Sequence, residues 1–236
     1  RSARDIYSLN ERTFENTTIK TEDGWEILPE FREHYQISVQ GGFLQRFEYA
    51  EADFILINDG FGKFERENLT EGRFLDYDGN PLKEELKDWG LTTRFQDFDL
   101  DGDPDLYVCN DFESPDRIWI NNGDGKFQFL PKLGIRNTSG ASMGIDFSDI
   151  NRDGHLDFFV VEMLSTSHKR RKTQMGPMSF TPVSIGEVEN RPQYMRNTLL
   201  LNRGDNTYAE IAQLSGVHAS EWSWSPLFLD LDFDGY

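Results

Sequence analysis

The chain has 236 residues, of which 42 are acidic and 24 are basic, so its formal net charge is −18. This balance argues against nucleic-acid binding, which needs a basic surface to meet phosphate. Only 37% of the residues are apolar, and no run approaches the roughly 18 apolar residues of a membrane-spanning helix. Aromatic residues make up 14% of the chain, so we expect a folded protein with a real core.

The first 52 residues show the least regular pattern, and the interpretable part of the sequence begins at residue 53. The chain starts with Arg1, and no apolar leader core follows it. We therefore expect either a removed leader or a piece of a longer chain. Cys109 is the only cysteine, which excludes an internal disulfide and a cysteine metal cluster.

Three segments carry a strand–turn–strand pattern, and they are residues 53–64, 116–127 and 197–208. Each has an apolar run, a turn rich in Asn and Gly, and a returning aromatic residue. This order is typical of a β-hairpin. The turns are anchored by Asn58, Asn121 and Asn202.

Acidic residues are concentrated in three further segments, residues 97–105, 149–157 and 230–236, which fit the pattern D-x-[DN]-x-D-G-x-x-D. The last copy is truncated. Carboxylates this close repel one another unless a cation lies between them, and Ca²⁺ takes six to eight oxygen ligands. Side chains at loop positions 1, 3, 5 and 9 can converge on one ion together with the carbonyl of position 7. A glycine at position 6 allows the sharp turn.

An EF-hand begins in the same way, but it needs a bidentate Glu at position 12 and a helix on each side. Position 12 is Val108 in the first loop and Val160 in the second. The residues after each loop, 106–109 and 158–161, are aromatic and β-branched, which predicts buried strands. Oxygen-only ligands favour Ca²⁺ over zinc or copper.

The repeating unit is therefore hairpin, strand, acidic loop and strand. Without insertions it spans on the order of 50–60 residues and has about four strands, which is typical of a β-propeller blade. We predict an all-β fold in which the chain contains about three to four blades, with a degenerate or partial blade at residues 1–52. Two insertions explain the uneven spacing. One covers residues 69–90, with a short helix predicted at 82–89, and the other is a polar loop at 165–193.

Residues 95–106 (Phe-Gln-Asp-Phe-Asp-Leu-Asp-Gly-Asp-Pro-Asp-Leu) and 118–127 (Ile-Trp-Ile-Asn-Asn-Gly-Asp-Gly-Lys-Phe) resemble the FG-GAP/VCBS repeat of integrin α-like propellers. Residues 161–164 with 170–173, 193–199 and 221–228 resemble bacterial secreted FG-GAP proteins that often carry an ASPIC/UnbV domain. The resemblance covers roughly residues 53–236 and implies a seven-bladed propeller with Ca²⁺ in its loops, located outside the cytoplasm.

The resemblance also implies a ligand set for each loop. In the first loop the ligands are the side chains of Asp97, Asp99, Asp101 and Asp105 with the carbonyl of Asp103. In the second they are Asp149, Asn151, Asp153 and Asp157 with the carbonyl of His155. In the third they are Asp230, Asp232 and Asp234 with the carbonyl of Tyr236. Two sites are thus expected to be complete, and the third lacks its ninth residue.

Three other features have competing interpretations. Ser142 lies in a G-x-S-x-G motif, but the motif leads into an acidic loop, so close packing of blades is favoured over a hydrolase nucleophile. The basic run 168–172 is interpreted as a solvated loop face, with docking on an acidic partner or glycan as the alternative. Trp222 and Trp224 are expected in one strand, either in the core or, if exposed, as a sugar-stacking platform.

We therefore expect a calcium-stabilised module outside the cytoplasm (secreted, cell-surface or periplasmic) that binds a protein or glycan, or serves as a scaffold, without catalysis of its own. Two alternatives stay open. The chain is part of a secreted enzyme, such as a polysaccharide lyase or quinone-dependent dehydrogenase, whose catalytic residues lie elsewhere, or it is a structural subunit of a larger surface assembly.

Overall fold

The computed structural model describes residues 17–22, 24–40, 43–111, 114–174 and 192–234. Strands make up 37% of the chain and helices 7%, which confirms the all-β prediction. The chain forms two compact units. The first comprises Arg1–Asp53 and Leu86–Asp88, and the second comprises Phe54–Glu85 and Trp89–Tyr236.

The first unit contains two antiparallel hairpins, β1 (Thr18–Thr21) with β2 (Gly24–Ile27) and β3 (Tyr35–Gln40) with β4 (Phe43–Glu48). A short 3-10 turn, Pro29–Phe31, separates them. Tyr35 is buried, and the Arg46 guanidinium lies 4.3 Å above the centre of its ring. The Arg46 side chain also donates to the Thr17 hydroxyl at 2.7 Å, so one residue ties the position just before β1 to the second hairpin.

Over the described residues, the second unit holds the remaining strands, a 3-10 turn at Leu69–Glu71 and one short helix. The strands are β5 (Phe54–Asn58), β6 (Phe64–Asn68), β7 (Phe74–Leu75), β8 (Gly90–Gln96), β9 (Asp105–Asn110), β10 (Arg117–Asn121), β11 (Phe127–Phe129), β12 (Thr138–Ser139), β13 (Gly144–Ser148), β14 (Asp157–Val161), β15 (Gln193–Tyr194), β16 (Thr198–Asn202) and β17 (Tyr208–Glu210), and the helix is α1 (His168–Gln174). Among the described residues, no helix has the length and apolar character needed to cross a membrane.

Two larger sheets repeat the same plan. Their strand orders are β7-β11-β10-β9-β8 and β13-β14-β16-β17. In the first sheet an acidic loop joins β8 to β9, and β10 and β11 form a hairpin. In the second sheet an acidic loop joins β13 to β14, and β16 and β17 form a hairpin. The extra strand β7 comes from the insertion at 69–90 and pairs in parallel with β11. The three predicted strand–turn–strand segments are all antiparallel hairpins, β5–β6, β10–β11 and β16–β17.

The helix predicted at 82–89 is wrong, because this segment has no helical turn. An isolated eight-residue helix is unstable in water unless an apolar face packs against the protein. The backbone groups bond elsewhere instead. The Leu82 N–H donates to the Phe74 carbonyl at 3.0 Å, and the Leu86 carbonyl accepts from the Asp53 N–H at 2.8 Å.

Aromatic side chains from the two larger sheets build a shared core. Phe98, from the first acidic loop, stacks on Phe147 of β13 with ring centroids 5.7 Å apart and planes 7° from parallel. Tyr107 of β9 meets Phe158 of β14 edge-on at 5.3 Å, and Phe158 contacts Tyr208 at 5.0 Å. The free thiol of Cys109 is buried in the same cluster, and burial raises its pKa well above the usual value. The first loop is therefore anchored in the next sheet along the chain.

The segment after the second sheet packs on that sheet as the second sheet packs on the first. The Ser142 N–H donates to the Asn110 carbonyl at 2.9 Å, and the Ser223 N–H donates to the Glu162 carbonyl at 3.5 Å. The approach is close at Gly144, where an added Cβ would lie 2.6 Å from the Trp224 carbonyl oxygen. Successive repeats thus stack in chain order, which is consistent with the blades of a β-propeller.

Candidate metal centre

The first acidic loop connects β8 to β9 and gathers three carboxylates. One oxygen from each of Asp97, Asp99 and Asp105 lies within 4.8 Å of the others. Backbone N–H groups hold these side chains in place. The Asp101 N–H donates to Asp97 Oδ1 at 3.2 Å and Asp99 Oδ1 at 3.3 Å, and the Gly102 N–H donates to Asp97 Oδ2 at 2.9 Å. The loop is thus wrapped around its own carboxylates.

The second acidic loop, between β13 and β14, repeats these hydrogen bonds 52 positions later. The Asp153 N–H donates to Asp149 Oδ1 at 3.1 Å and to Asn151 Oδ1 at 3.2 Å, and the Gly154 N–H donates to Asp149 Oδ2 at 2.8 Å. One further hydrogen bond recurs at position 7. The Asp103 N–H donates to Asp101 Oδ1, and the His155 N–H donates to Asp153 Oδ1, both at 2.9 Å. The two loops therefore have one common backbone design.

A left-handed residue at position 4 extends this design to the third loop. Leu100, Arg152 and Phe233 have φ values of 65°, 62° and 58°. A residue with a Cβ adopts this conformation only when the surrounding loop requires it. In the third loop, one carboxylate oxygen from each of Asp230, Asp232 and Asp234 again lies within 4.8 Å of the others. Tyr236, whose carbonyl was predicted as a ligand, lies outside the described residues.

Among the described residues, the carboxylate triplets that converge to 4.8 Å are those of the first and third loops. The second loop differs because an amide, Asn151, occupies position 3. Its Nδ2 donates to Asp153 Oδ2 at 2.9 Å, which lowers the pKa of Asp153. A neutral residue at position 3 leaves the second loop with less repulsion and less negative charge than the first.

The carboxylate at position 9 is the most buried part of the first two loops. Asp105 and Asp157 both have 0% of their surface exposed. Asp105 accepts hydrogen bonds from the N–H groups of Phe98 at 3.1 Å and Asn121 at 2.8 Å. Asp157 accepts the equivalent pair from Ile150 at 2.9 Å and Asn202 at 2.8 Å.

Burial dominates the ionisation of these groups. It raises the pKa of Asp105 to about 7, and the negative charges of Asp99 and Asp101 add to the increase. The pKa of Asp157 is also raised by burial, with Asp153 and Asp149 adding to it. Hydrogen bonds from backbone N–H groups oppose the increase in both cases. A buried, ionised carboxylate beside other carboxylates is unfavourable unless a proton or a cation neutralises it.

The donor set fits Ca²⁺. It consists of carboxylate, amide and carbonyl oxygens, which hard cations prefer, and the described part of the loops offers no sulfur donor. The imidazole of His155 is at position 7, where the predicted donor is the backbone carbonyl. The side chains of Asp103 and His155 are therefore not needed as ligands and can make other contacts. Both lie against a glycine of a neighbouring hairpin turn, Gly123 and Gly204 respectively.

Two residues of this centre were not predicted as part of it. Asn121 and Asn202 bond to the position-9 carboxylates, although the sequence indicated them only as hairpin anchors. Their recurrence was visible in the sequence. Their contact with the loops was not, because 16 and 45 residues separate Asn121 from Asp105 and Asn202 from Asp157.

The other candidate features are placed as follows. Ser142 is fully buried, and its hydroxyl donates to Asp116 Oδ2 at 2.8 Å. The Tyr107 hydroxyl donates to the same oxygen at 2.7 Å. The Ser142 hydroxyl is therefore engaged in a buried hydrogen bond. Trp222 and Trp224 are 46% and 62% exposed and lie in an irregular segment, so the strand predicted for them is wrong over the described residues.

The basic run forms the exposed helix α1 rather than a loop. Arg170 lies 3.2 Å from a Glu221 carboxylate oxygen, and Arg171 donates to the Ser165 carbonyl at 2.5 Å. The helix is thus tied to the body of the second unit by its two arginines. Residues 175–191 of the predicted 165–193 insertion lie outside the described part of the chain.

Comparison with known families agrees with the repeat. Residues 97–160 match the FG-GAP-like repeat family. The match runs from position 1 of the first acidic loop into β14, so it contains the first two acidic loops and the hairpin between them. No curated protein matches the chain. The fold and the match together define an all-β protein that contains an FG-GAP-like repeat.

Proposed function

We propose that the acidic loops bind Ca²⁺ and that the chain is part of a calcium-stabilised β-propeller. The observation that carries this proposal is the repeated loop. Two segments 52 residues apart share the same backbone hydrogen bonds and bury the same position-9 carboxylate. Bound Ca²⁺ would neutralise the carboxylates. The ligands would be those the sequence predicts, with two complete sites and a third formed from Asp230, Asp232 and Asp234.

Calcium binding is tested by thermal unfolding in millimolar CaCl₂, in MgCl₂ and in excess EGTA. If free Ca²⁺ is about ten times the dissociation constant, each site contributes about 1.4 kcal/mol. Two sites then raise the melting temperature by roughly 6–12 °C for a chain of this size. Mg²⁺ should act more weakly, because it gives up its waters reluctantly.

A matched variant identifies the loops as the site. Replacing Asp97 and Asp149 by Asn keeps the size of both side chains and removes one ligand charge from each complete loop. This double variant should lose most of the calcium-dependent increase in melting temperature. An unchanged wild-type midpoint in calcium and EGTA would exclude the proposal.

We propose further that the module works outside the cytoplasm, in a protein of the bacterial secreted group that is associated with ASPIC/UnbV domains. Extracellular calcium modules bind at about 10⁻⁴–10⁻³ M, so external calcium keeps such sites loaded. Its proposed role is to bind a protein or glycan, or to act as a scaffold subunit, rather than to catalyse a reaction. The burial of Ser142 supports this choice over a hydrolase.

Glycan binding is supported by the exposure of Trp222 and Trp224, since indole rings stack on sugar rings and both are available to solvent. A glycan array probed in calcium tests this role. The wild type should bind at least one glycan, and Trp222→Ala and Trp224→Ala should each weaken that binding. Binding that is insensitive to both substitutions would move the interaction to another surface.

A further inference from the structure

The turns of two hairpins hold the acidic loops from outside. The Asn121 N–H donates to Asp105 Oδ1 at 2.8 Å, and its Nδ2 donates to the Pro104 carbonyl at 3.1 Å. Asn202 makes the same pair of bonds in the next sheet. Its N–H donates to Asp157 Oδ1 at 2.8 Å and its Nδ2 to the Leu156 carbonyl at 3.2 Å. Each asparagine thus bonds to the position-8 carbonyl through its side chain and to the position-9 carboxylate through its backbone N–H.

The glycine two residues after each asparagine also faces its loop. A Cβ added to Gly123 would lie 2.8 Å from Asp103 Oδ2, and one added to Gly204 would lie 2.7 Å from His155 Nε2. Both distances are shorter than real Cβ contacts. The side chain of loop position 7 therefore packs directly over the turn, in the space that a Cβ at the glycine would occupy.

The first hairpin provides an internal comparison. Its Asn58 Oδ1 accepts from the Gly60 N–H at 2.9 Å, as Asn121 accepts from Gly123 at 3.1 Å and Asn202 from Gly204 at 2.9 Å. The turn itself is therefore the same in all three hairpins. However, a Cβ at Gly60 would meet nothing within 4 Å, and over the described residues no acidic loop is bonded to this turn. The contacts with loops are thus an addition to the turn and not a requirement of it.

We propose that Asn121 and Asn202 are positioning residues of the two complete calcium sites. By holding the carbonyl of position 8 and the carboxylate of position 9, each asparagine sets the orientation of the backbone that carries the predicted position-7 ligand. Calcium binding in a loop is thereby coupled to the outer hairpin of the same sheet. This inference rests on the proposed function of the loops as calcium sites.

The test is calorimetric titration of CaCl₂ into the wild type and into Asn121→Ala, Asn202→Ala and Asn58→Ala. Loss of a residue that orients metal ligands weakens binding by about tenfold or more. We expect one site to weaken by about that factor in Asn121→Ala and another in Asn202→Ala. Asn58→Ala loses the same turn bond and should keep both affinities. Melting temperatures in EGTA should fall in all three variants, since each loses the turn bond, and should fall further in Asn121→Ala and Asn202→Ala, which also lose the bond to the position-8 carbonyl.

The outcomes separate the two proposals. A wild type that takes up no calcium overturns both the calcium sites and the role of the asparagines. A wild type that binds calcium, with all three variants alike in affinity, overturns only the positioning role. If an alanine variant does not fold, the serine series at residues 58, 121 and 202 replaces it. Serine keeps a short acceptor for the turn but cannot reach the position-8 carbonyl, so the same comparison applies.

Discussion

Acidification should stabilise the calcium-free protein, and Asp105 should be a main cause. Asp105 is fully buried, and burial raises its pKa to about 7 from an ordinary value of 3.8. A group whose pKa is higher in the folded state than in the unfolded state stabilises the fold when protonated. This contribution is complete below about pH 4 and is lost as the pH rises through 7.

The magnitude follows from the two pKa values. Each unit of difference between the folded and unfolded pKa corresponds to 1.36 kcal/mol, so Asp105 alone accounts for about 4 kcal/mol between pH 4 and pH 8. Asp157 and Asp99 act in the same direction, because burial raises their pKa values as well. In saturating calcium the slope should reverse, since protons then compete with the ion for the carboxylates.

The assay is urea unfolding at several pH values from 5 to 8, in EGTA and in calcium. Asp105→Asn removes the titrating group and should flatten the EGTA curve between pH 5 and 8 by about 2.7 kcal/mol relative to the wild type, because two pH units of the titration fall in this range. Asp205→Asn is the control, because Asp205 lies in an exposed turn and its pKa is lowered, chiefly by the Thr207 hydroxyl. Asp205→Asn should keep the wild-type slope from pH 5 to 8.

Two results would refute this reasoning. A calcium-free wild type whose stability rises from pH 5 to 8 would mean that Asp105 is stabilised as an anion without a metal ion. An Asp105→Asn variant with the wild-type slope would mean that other groups carry the pH dependence. Asparagine leaves one of the two bound N–H groups without an acceptor, so an overall loss of stability is expected and only the slope is diagnostic.

Two further substitutions test the core and a buried acid. Phe98→Ala removes the stack on Phe147 and should lower the free energy of unfolding by about 3–5 kcal/mol. Ile150→Ala is the control, because Ile150 occupies the equivalent position of the second loop but is 39% exposed, and it should cost much less. Equal losses of stability in the two variants would contradict the packing of Phe98 on Phe147. Burial, with a contribution from Asp111, raises the pKa of Glu162 to about 7. Glu162→Gln should therefore gain about 3 kcal/mol of stability relative to the wild type as the pH rises from 4 to 8. A difference in unfolding free energy between variant and wild type that stays constant with pH in urea unfolding would be evidence against this prediction.

The local structure was predictable because it depends on short segments. Alternating aspartates with a glycine at position 6 predicted the loops, and the β-branched and aromatic residues after them predicted β9 and β14. The Asn and Gly turns predicted the hairpins in the same way. These patterns are read from backbone preference and residue spacing, which neighbouring residues largely determine. The predicted helix at 82–89 failed because so short a segment depends on what packs against it.

The tertiary structure decided which distant segments meet. The sequence indicated Asn121 and Asn202 as turn residues, and only the folded sheets bring them to the acidic loops. Phe98 reads as a loop residue, yet it stacks on the next sheet, and Gly144 reads as part of a motif, yet it gives room to the Trp224 carbonyl. Such contacts depend on how whole sheets pack, and packing is a property of many residues that no local pattern contains.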